Sequence, residues 1–168
     1  MKAILSVFDK AGVAAFANAL HERGIALIAT EGTARVLEKS GVPVTKVAEF
    51  TGSPELLGGL VKTLHPRIHA AIATGEIGMV VVNLIPPAQG AKKPLAKMDI
   101  GGVALIRAGI KHFEKVTVIV NPGRYNEIIA ALSKRGRIDQ GTKQQLAREA
   151  LRYLIAYDSQ IEALLAQI

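Results

Sequence analysis

Apolar positions along the chain follow two alternating rhythms. Short, nearly continuous runs at KAILSV (2–7), IALIAT (25–30), MVVVNL (79–84) and VTVIVN (116–121) carry aliphatic and β-branched residues with little polar interruption. Such runs are expected of strands covered on both faces, as in a parallel sheet. Between them, apolar residues recur at every third or fourth position in GVAAFANALHERG (12–24), GTARVLEKSG (32–41), GGVALIRAGIKH (101–112) and PGRYNEIIAALSKRG (122–136). That spacing gathers them on one side of a helix, with Gly24 and Gly41 supplying helix stops. VTKV (44–47), after Pro43, predicts one further short strand. From Thr142 the chain reads as one long amphipathic helix, with Leu146, Ala150, Tyr153, Tyr157, Ile161 and Leu164 as its buried stripe.

Strand–helix alternation of this kind predicts an α/β fold: a mostly parallel sheet with helices on both faces, three layers in all. The flanks of PPAQGAKKP (86–94) are too short to fold alone, so that stretch is expected to be a surface loop and residues 1–168 a single domain. In open sheets of this type ligands lie beyond the carboxyl ends of the strands. Three places therefore merit attention: Ser6–Gly12, Thr30–Ala34 and Asn83–Pro87.

Composition narrows the function classes. A chain of 168 residues without cysteine or tryptophan fits a reducing compartment, and no apolar run approaches the roughly 18 residues of a membrane span. The start, MKAILSVFDKAG, reaches Asp9 and Lys10 too early for a signal peptide, so a soluble cytoplasmic protein is expected. The formal charge of +7 is scattered, and aromatics are only 4% of the chain. Few bases would find a stacking partner, so neither nucleic acid nor membrane is an expected partner. A basic surface equally suits small phosphorylated metabolites.

Candidate chemistry sits at the strand ends. ATEGTA (29–34) combines the hydroxyls of Thr30 and Thr33 with Gly32 at the opening of a helix, an anion-binding turn suited to a phosphate. An N-cap role for Thr30 explains the same residues, and Glu31 disfavours a phosphate unless its side chain turns away. Lys10 follows the first strand and stands to neutralise that phosphate. GGLVKTLHPR (58–67) crowds Lys62, Thr63 and His65 ahead of Pro66, which forces His65 away from helical geometry. His65 and His69 are four apart, but Pro66 interrupts them and no acidic or cysteine ligand adjoins, so no metal site is expected. MDIGGVALIRAGIKH (98–112) sets Asp99 before Gly101 and Gly102, then Arg107 and Lys111. In one unbroken helix Asp99 and Lys111 would stand roughly 15 Å apart.

SVFDKAG, GTARVLEKSGVPVTKVAEFTGSPELLGG, VKTLHPRIHA, VVVNL, DIGGVALIRAGIKH and LIAYDSQI occur in this order along nearly the whole chain. Together they resemble the IMP cyclohydrolase domain of the bifunctional purine-biosynthesis enzyme, VKTLHP and DIGG being the most specific parts. The resemblance implies a methylglyoxal-synthase-like fold and a cofactor-free ring closure of formamidoimidazole carboxamide ribotide to inosine monophosphate. It implies Lys62, Asp99 and Lys111 as catalytic residues. Ser6, Lys10, Thr30, Gly32 and Thr33 would receive the 5′-phosphate, and Thr63, Asn83, Ile100 and Gly101 the rest of the nucleotide. A homodimer is expected. The transformylase domain that follows in that family is not part of this sequence, so a separate transformylase polypeptide is a candidate partner.

Three positions depart from the family pattern. Ile85 stands where a tyrosine of the catalytic set is usual, Leu60 where a phosphate-binding arginine is usual, and Phe8 where a serine is common. The segments before MVVVNL and before MDIGG are also shorter than usual. These departures keep two other readings open: a non-catalytic nucleotide- or phosphate-binding module of the same fold, resembling the regulatory domain of carbamoyl phosphate synthetase, and methylglyoxal synthase itself.

Overall fold

The computed structural model describes residues 1–54, 62–87 and 95–166. Its sheet has five strands, β1 (Lys2–Val7), β2 (Ala26–Ala29), β3 (Thr45–Lys46), β4 (Ile77–Asn83) and β5 (Thr117–Ile119), in the order β3-β2-β1-β4-β5. Every pairing is parallel, with Leu5 beside Ala29, Val7 beside Asn83 and Val81 beside Ile119. All seven residues of β4 are buried, as its unbroken apolar run requires of a strand covered on both sides.

The helices are α1 (Val13–His21), α2 (Glu31–Lys39), α3 (Val47–Thr51), α4 (Pro66–Thr74), α5 (Gly101–Lys111), α6 (Tyr125–Arg135) and α7 (Gln140–Leu165). Alternate residues of each strand point to opposite layers. Ala3, Leu5, Met79, Val81 and Ile119 pack against α1, α2 and α6 through Phe16, Leu20, Leu37, Ile128 and Leu132. Ile4, Val80, Val82 and Val118 pack against α3, α4, α5 and α7 through Phe50, Ile72, Leu105, Ile106 and Leu154. The three layers and parallel sheet agree with the expectation from the sequence. Among the described residues no helix is long and apolar enough to cross a membrane.

Two short helices go beyond the sequence reading. α3 has five residues, too few to display a helical period, and it takes Val47 out of the predicted strand, which shrinks to Thr45–Lys46. α4 begins at Pro66, directly after the extended His65. Proline at the first helical position gives up an N–H that would be unpaired anyway, and Ile68, Ala71 and Ile72 form the buried face. His65 remains extended, as a residue before proline should, and its Nδ1 accepts the Arg67 N–H at 3.2 Å as the N-cap. α7 starts at Gln140, earlier than Thr142, because Asp139 caps it by accepting the Thr142 N–H at 3.0 Å.

The strand order places the site. From β1 the chain moves outward through β2 and β3, then returns across to β4 on the other flank of β1. The carboxyl ends of β1 and β4 therefore diverge into connections running opposite ways, which opens a crevice between them.

Candidate active site at the carboxyl edge of the sheet

Burial marks this edge independently of any motif. Among the described residues the buried polar side chains are Thr30, Thr33, Thr63, Asn83 and Thr117, and all but Thr117 lie here. Burying a polar group is costly unless it is paired, so each should have a structural or ligand partner.

Asn83 ends β4 beside Val7. Its Oδ1 accepts the N–H groups of Phe8 and Asp9 at 2.6 and 2.7 Å, and its Nδ2 donates to the Asp9 carbonyl at 3.1 Å. The side chain expected to meet a ligand is thus committed to the turn after β1. It fixes the start of the loop that carries Lys10.

Ser6, Thr30 and Thr33 form a hydroxyl cluster across the ends of β1 and β2. Thr30 Oγ1 lies 3.4 Å from Ser6 Oγ and 3.5 Å from Thr33 Oγ1. Thr33 Oγ1 accepts the Val7 N–H at 3.2 Å. Thr30 occupies the N-cap position of α2, yet its hydroxyl makes no capping bond. The N–H groups of Glu31 and Gly32 precede the first intrahelical bonds, which run from Thr33 and Ala34 to the Thr30 carbonyl. A β-carbon at Gly32 would meet nothing within 4 Å, so the space over this turn is open. Glu31 turns aside, pairing with Arg35 Nε at 3.1 Å and Lys46 Nζ at 3.3 Å. Those hydrogen bonds, that from Arg35 first, lower its pKa.

Lys10 reaches into this cluster. Its Nζ donates to the Val7 carbonyl and lies 3.5 Å from Thr33 Oγ1. Burial lowers its pKa, and the positive charge of Lys62 lowers it further. Two cations from segments about fifty residues apart therefore share one field, an arrangement that attracts an anion, with the Asp9 carboxylate partly offsetting it at Lys10.

The second part of the site joins the KTLHP and DIGG segments. Gly101, opening α5, lies so close to Thr63 that a β-carbon there would overlap Thr63 Oγ1. At Gly102 a β-carbon would come within 2.8 Å of both Asp99 carboxyl oxygens and 2.7 Å of Leu84. The glycine pair lets the helix start lie against both neighbours. Asp99 Oδ1 accepts the Gly102 N–H at 2.7 Å, and Oδ2 the Ile85 N–H at 3.4 Å. The first bond is a helix-start contact; the second ties Asp99 to the end of β4.

Two tyrosines of α7, read from the sequence only as parts of a buried stripe, complete this edge. Tyr153 Oη accepts the Leu84 N–H and Tyr157 Oη the Asp99 N–H, each at 2.8 Å. Burial raises both phenol pKa values, and the nearby Asp99 carboxylate adds to the effect. Their spacing of four along a helix was the available signal, but a tyrosine in an apolar stripe looks like any core residue. Beside Tyr153, Asn83, Leu84 and Pro86 a cavity of about 610 Å³ opens toward Phe8 and Arg152. Its lining continues to Val120, Asn121 and Glu149 and includes neither Asp99 nor the hydroxyl cluster.

Other expected residues fall elsewhere. Ile100 is 52% exposed at the α5 start. Lys111 lies in the last turn of α5, which is unbroken from Gly101, so it stands at the opposite end of the helix from Asp99. His65 shares Ser53 Oγ at 3.4 Å through Nε2 while Nδ1 caps α4, so both ring nitrogens serve the local fold. Among the described residues no group of three or more acidic or histidine side chains is arranged to hold a metal. Leu60 and most of the 86–94 loop lie outside the described residues.

A parallel sheet whose central switch point gathers two lysines, clustered hydroxyls and a carboxylate at a helix start defines this α/β domain. A family model described as MGS-like domain matches residues 12–157, and the chain belongs to that family. Bifunctional purine biosynthesis protein PurH of Myxococcus xanthus (strain DK1622) is 42% identical over 188 aligned residues, covering 99% of this chain and 37% of that protein. PurH of Synechocystis sp. (strain ATCC 27184 / PCC 6803 / Kazusa) is also 42% identical, over 95% of this chain and 36% of its own length. The chain thus spans little more than a third of these curated relatives. A solved structure, described as the crystal structure of ForH, superposes with a TM-score of 0.88 at 32% identity, covering 98% of each chain.

Proposed function

We propose that this domain is an IMP cyclohydrolase, closing the pyrimidine ring of formamidoimidazole carboxamide ribotide with loss of water. The observation that carries the reading is the meeting of the two most specific motifs at one point: Thr63 of VKTLHP packs against Gly101 of DIGG, beside Asp99. Segments far apart in sequence thereby bring a cation, a hydroxyl and a carboxylate to the strand ends. The PurH relatives, named as purine-biosynthesis proteins, support the same class of chemistry.

In the reaction the carboxamide nitrogen attacks the formyl carbon of the same molecule. A C–N bond forms and the formyl oxygen becomes an oxyanion; the C–O bond then breaks and the oxygen departs as water, carrying one proton from the carboxamide nitrogen and one from the formamide N–H, as a C=N bond to the formamide nitrogen forms. Holding both groups on one ring supplies the intramolecular advantage. The 5′-phosphate would lie over the α2 start, receiving the Glu31 and Gly32 N–H groups, the Ser6, Thr30 and Thr33 hydroxyls, and Lys10. Lys62 would meet the developing oxyanion, an interaction typically worth about 3 kcal/mol. Asp99 would orient the carboxamide and accept its proton, a contribution of roughly 10²–10⁴ in rate. Lys111, at the far end of α5, is left out of this chemistry. No step requires a cofactor.

Incubation of the purified domain with the formylated ribotide tests this. The expected result is a rise in ultraviolet absorbance from inosine monophosphate, faster than spontaneous closure and without added cofactor. A second reading, a phosphate-binding module without catalysis, is favoured by Ile85 and Leu60, apolar residues where the resembled family usually has a tyrosine and an arginine. It predicts nucleotide binding with no acceleration.

A further inference from the structure

We infer that Tyr157 and Tyr153 are positioning residues for Asp99, acting from α7 by holding the two backbone segments that fix its carboxylate; this rests on the reading of Asp99 as the group that handles the carboxamide. The two phenols lie four residues apart, hence on one helix face, and each accepts a backbone N–H at 2.8 Å. Tyr157 holds Asp99 itself. Tyr153 holds Leu84, whose neighbour Ile85 donates to Asp99 Oδ2 at 3.4 Å. The carboxylate is therefore braced on three sides: the Gly102 N–H from α5, the Ile85 N–H from the end of β4, and the Asp99 main chain tied to α7.

A core stripe alone does not need these hydroxyls. Leu154 and Ile161, neighbours in the same face, fill the layer between α7 and the sheet with apolar atoms. A phenylalanine at 153 or 157 would pack as well but leave a backbone N–H facing a ring. Neither segment belongs to a sheet ladder at these residues, because β4 ends at Asn83 and α5 begins at Gly101. Without the phenols, the 84–85 and 98–99 backbones lose the anchors that join them to a rigid 26-residue helix. A phenol is protonated at neutral pH, and burial raises both pKa values further, so each oxygen retains a proton while accepting its N–H.

The test compares wild type with Tyr157→Phe and Tyr153→Phe in the intact chain. It measures kcat and KM for the formylated ribotide, the thermal midpoint, and amide hydrogen exchange of residues 84, 85, 99 and 102. Expected is a fall in kcat of about tenfold to a hundredfold in Tyr157→Phe, with a smaller fall in Tyr153→Phe. KM should stay within about twofold, because the phosphate subsite is built from other elements. Exchange should quicken at Asp99 and Gly102 while the β1 and β4 amides keep their protection. Wild-type kcat in both variants overturns the inference, as does a uniform loss of protection across the sheet, which would mark the phenols as general packing. A wild type that closes no ring sinks the catalytic reading instead. The exchange data then decide positioning alone: unchanged protection at residues 85, 99 and 102 refutes it, and selective loss there upholds it.

Discussion

Thr63 and Gly101 touch so closely that no side chain can stand between them: Thr63 is 2% exposed, and its hydroxyl occupies the space a β-carbon at 101 would need. This contact sets how far the α5 start, and with it Asp99, lies from the segment carrying Lys62. Gly101→Ala should force the two apart, costing about 1–3 kcal/mol of stability by overpacking and at least about tenfold in kcat. Gly109→Ala is the control. Its β-carbon would meet Val118 at 2.6 Å, away from the site, so denaturant midpoints should fall in both variants while kcat at saturating substrate falls only in Gly101→Ala.

Asn83 supplies a different kind of support. Asn83→Ala removes the side-chain acceptor for the Phe8 and Asp9 N–H groups; the Phe8 N–H keeps the Asn83 carbonyl at 3.2 Å, so the loss is about 1 kcal/mol per hydrogen bond. The loop bearing Lys10 should loosen, weakening inosine monophosphate binding in calorimetry more than it lowers kcat.

Lys10 and Lys62 are coupled by charge. Burial and Lys62 together depress the Lys10 pKa below its ordinary value of 10.5. Because the folded value lies below the unfolded one, this group makes stability rise as pH climbs from the folded pKa toward 10.5. Lys62→Ala should remove part of the depression, so the Lys10 titration, followed by NMR of methylated lysines, moves upward. Bound phosphate should move it upward as well.

Tyr125 contributes on the alkaline side. It stacks on Phe16 with ring centroids 4.2 Å apart, and burial, aided by the negative charge of Asp9, pushes its phenol up to about 12. A folded pKa above the unfolded value of 10 gives stability that is fully present below pH 10 and is lost as pH rises toward 12. The amount is on the order of 2 kcal/mol. Urea midpoints should therefore drop between these pH values in wild type and drop less in Tyr125→Phe.

Much of this architecture was legible in the apolar rhythm. β4 is buried over its whole length and reads as an unbroken run; α2 and α6 show their period and end at recognisable stops. The strand ends that the sheet rule singles out do carry Thr30, Thr33, Lys10 and Asn83. Other features could not be read, for reasons of scale. α3 is shorter than two helical turns, and Pro66 signals either a bend or a helix start until its partners are known. The role of Asn83 depends on a register between β1 and β4 that joins residues more than seventy apart. Tyr153 and Tyr157 share their pattern with any buried stripe, and only the packing of α7 over β5 and α5 shows that their hydroxyls reach Leu84 and Asp99.

The role proposed for Asp99 is to handle the carboxamide in a ring closure. Its most direct test is the initial rate of inosine monophosphate formation at saturating formylated ribotide, for wild type and Asp99→Asn. Asparagine keeps an oxygen that can accept the Gly102 N–H, so the α5 start survives while the basic group is lost. Wild type should accelerate the closure, and the variant should lose roughly 10²–10⁴ in rate. Equal rates in the two proteins, or a wild type no faster than spontaneous closure, would contradict that role.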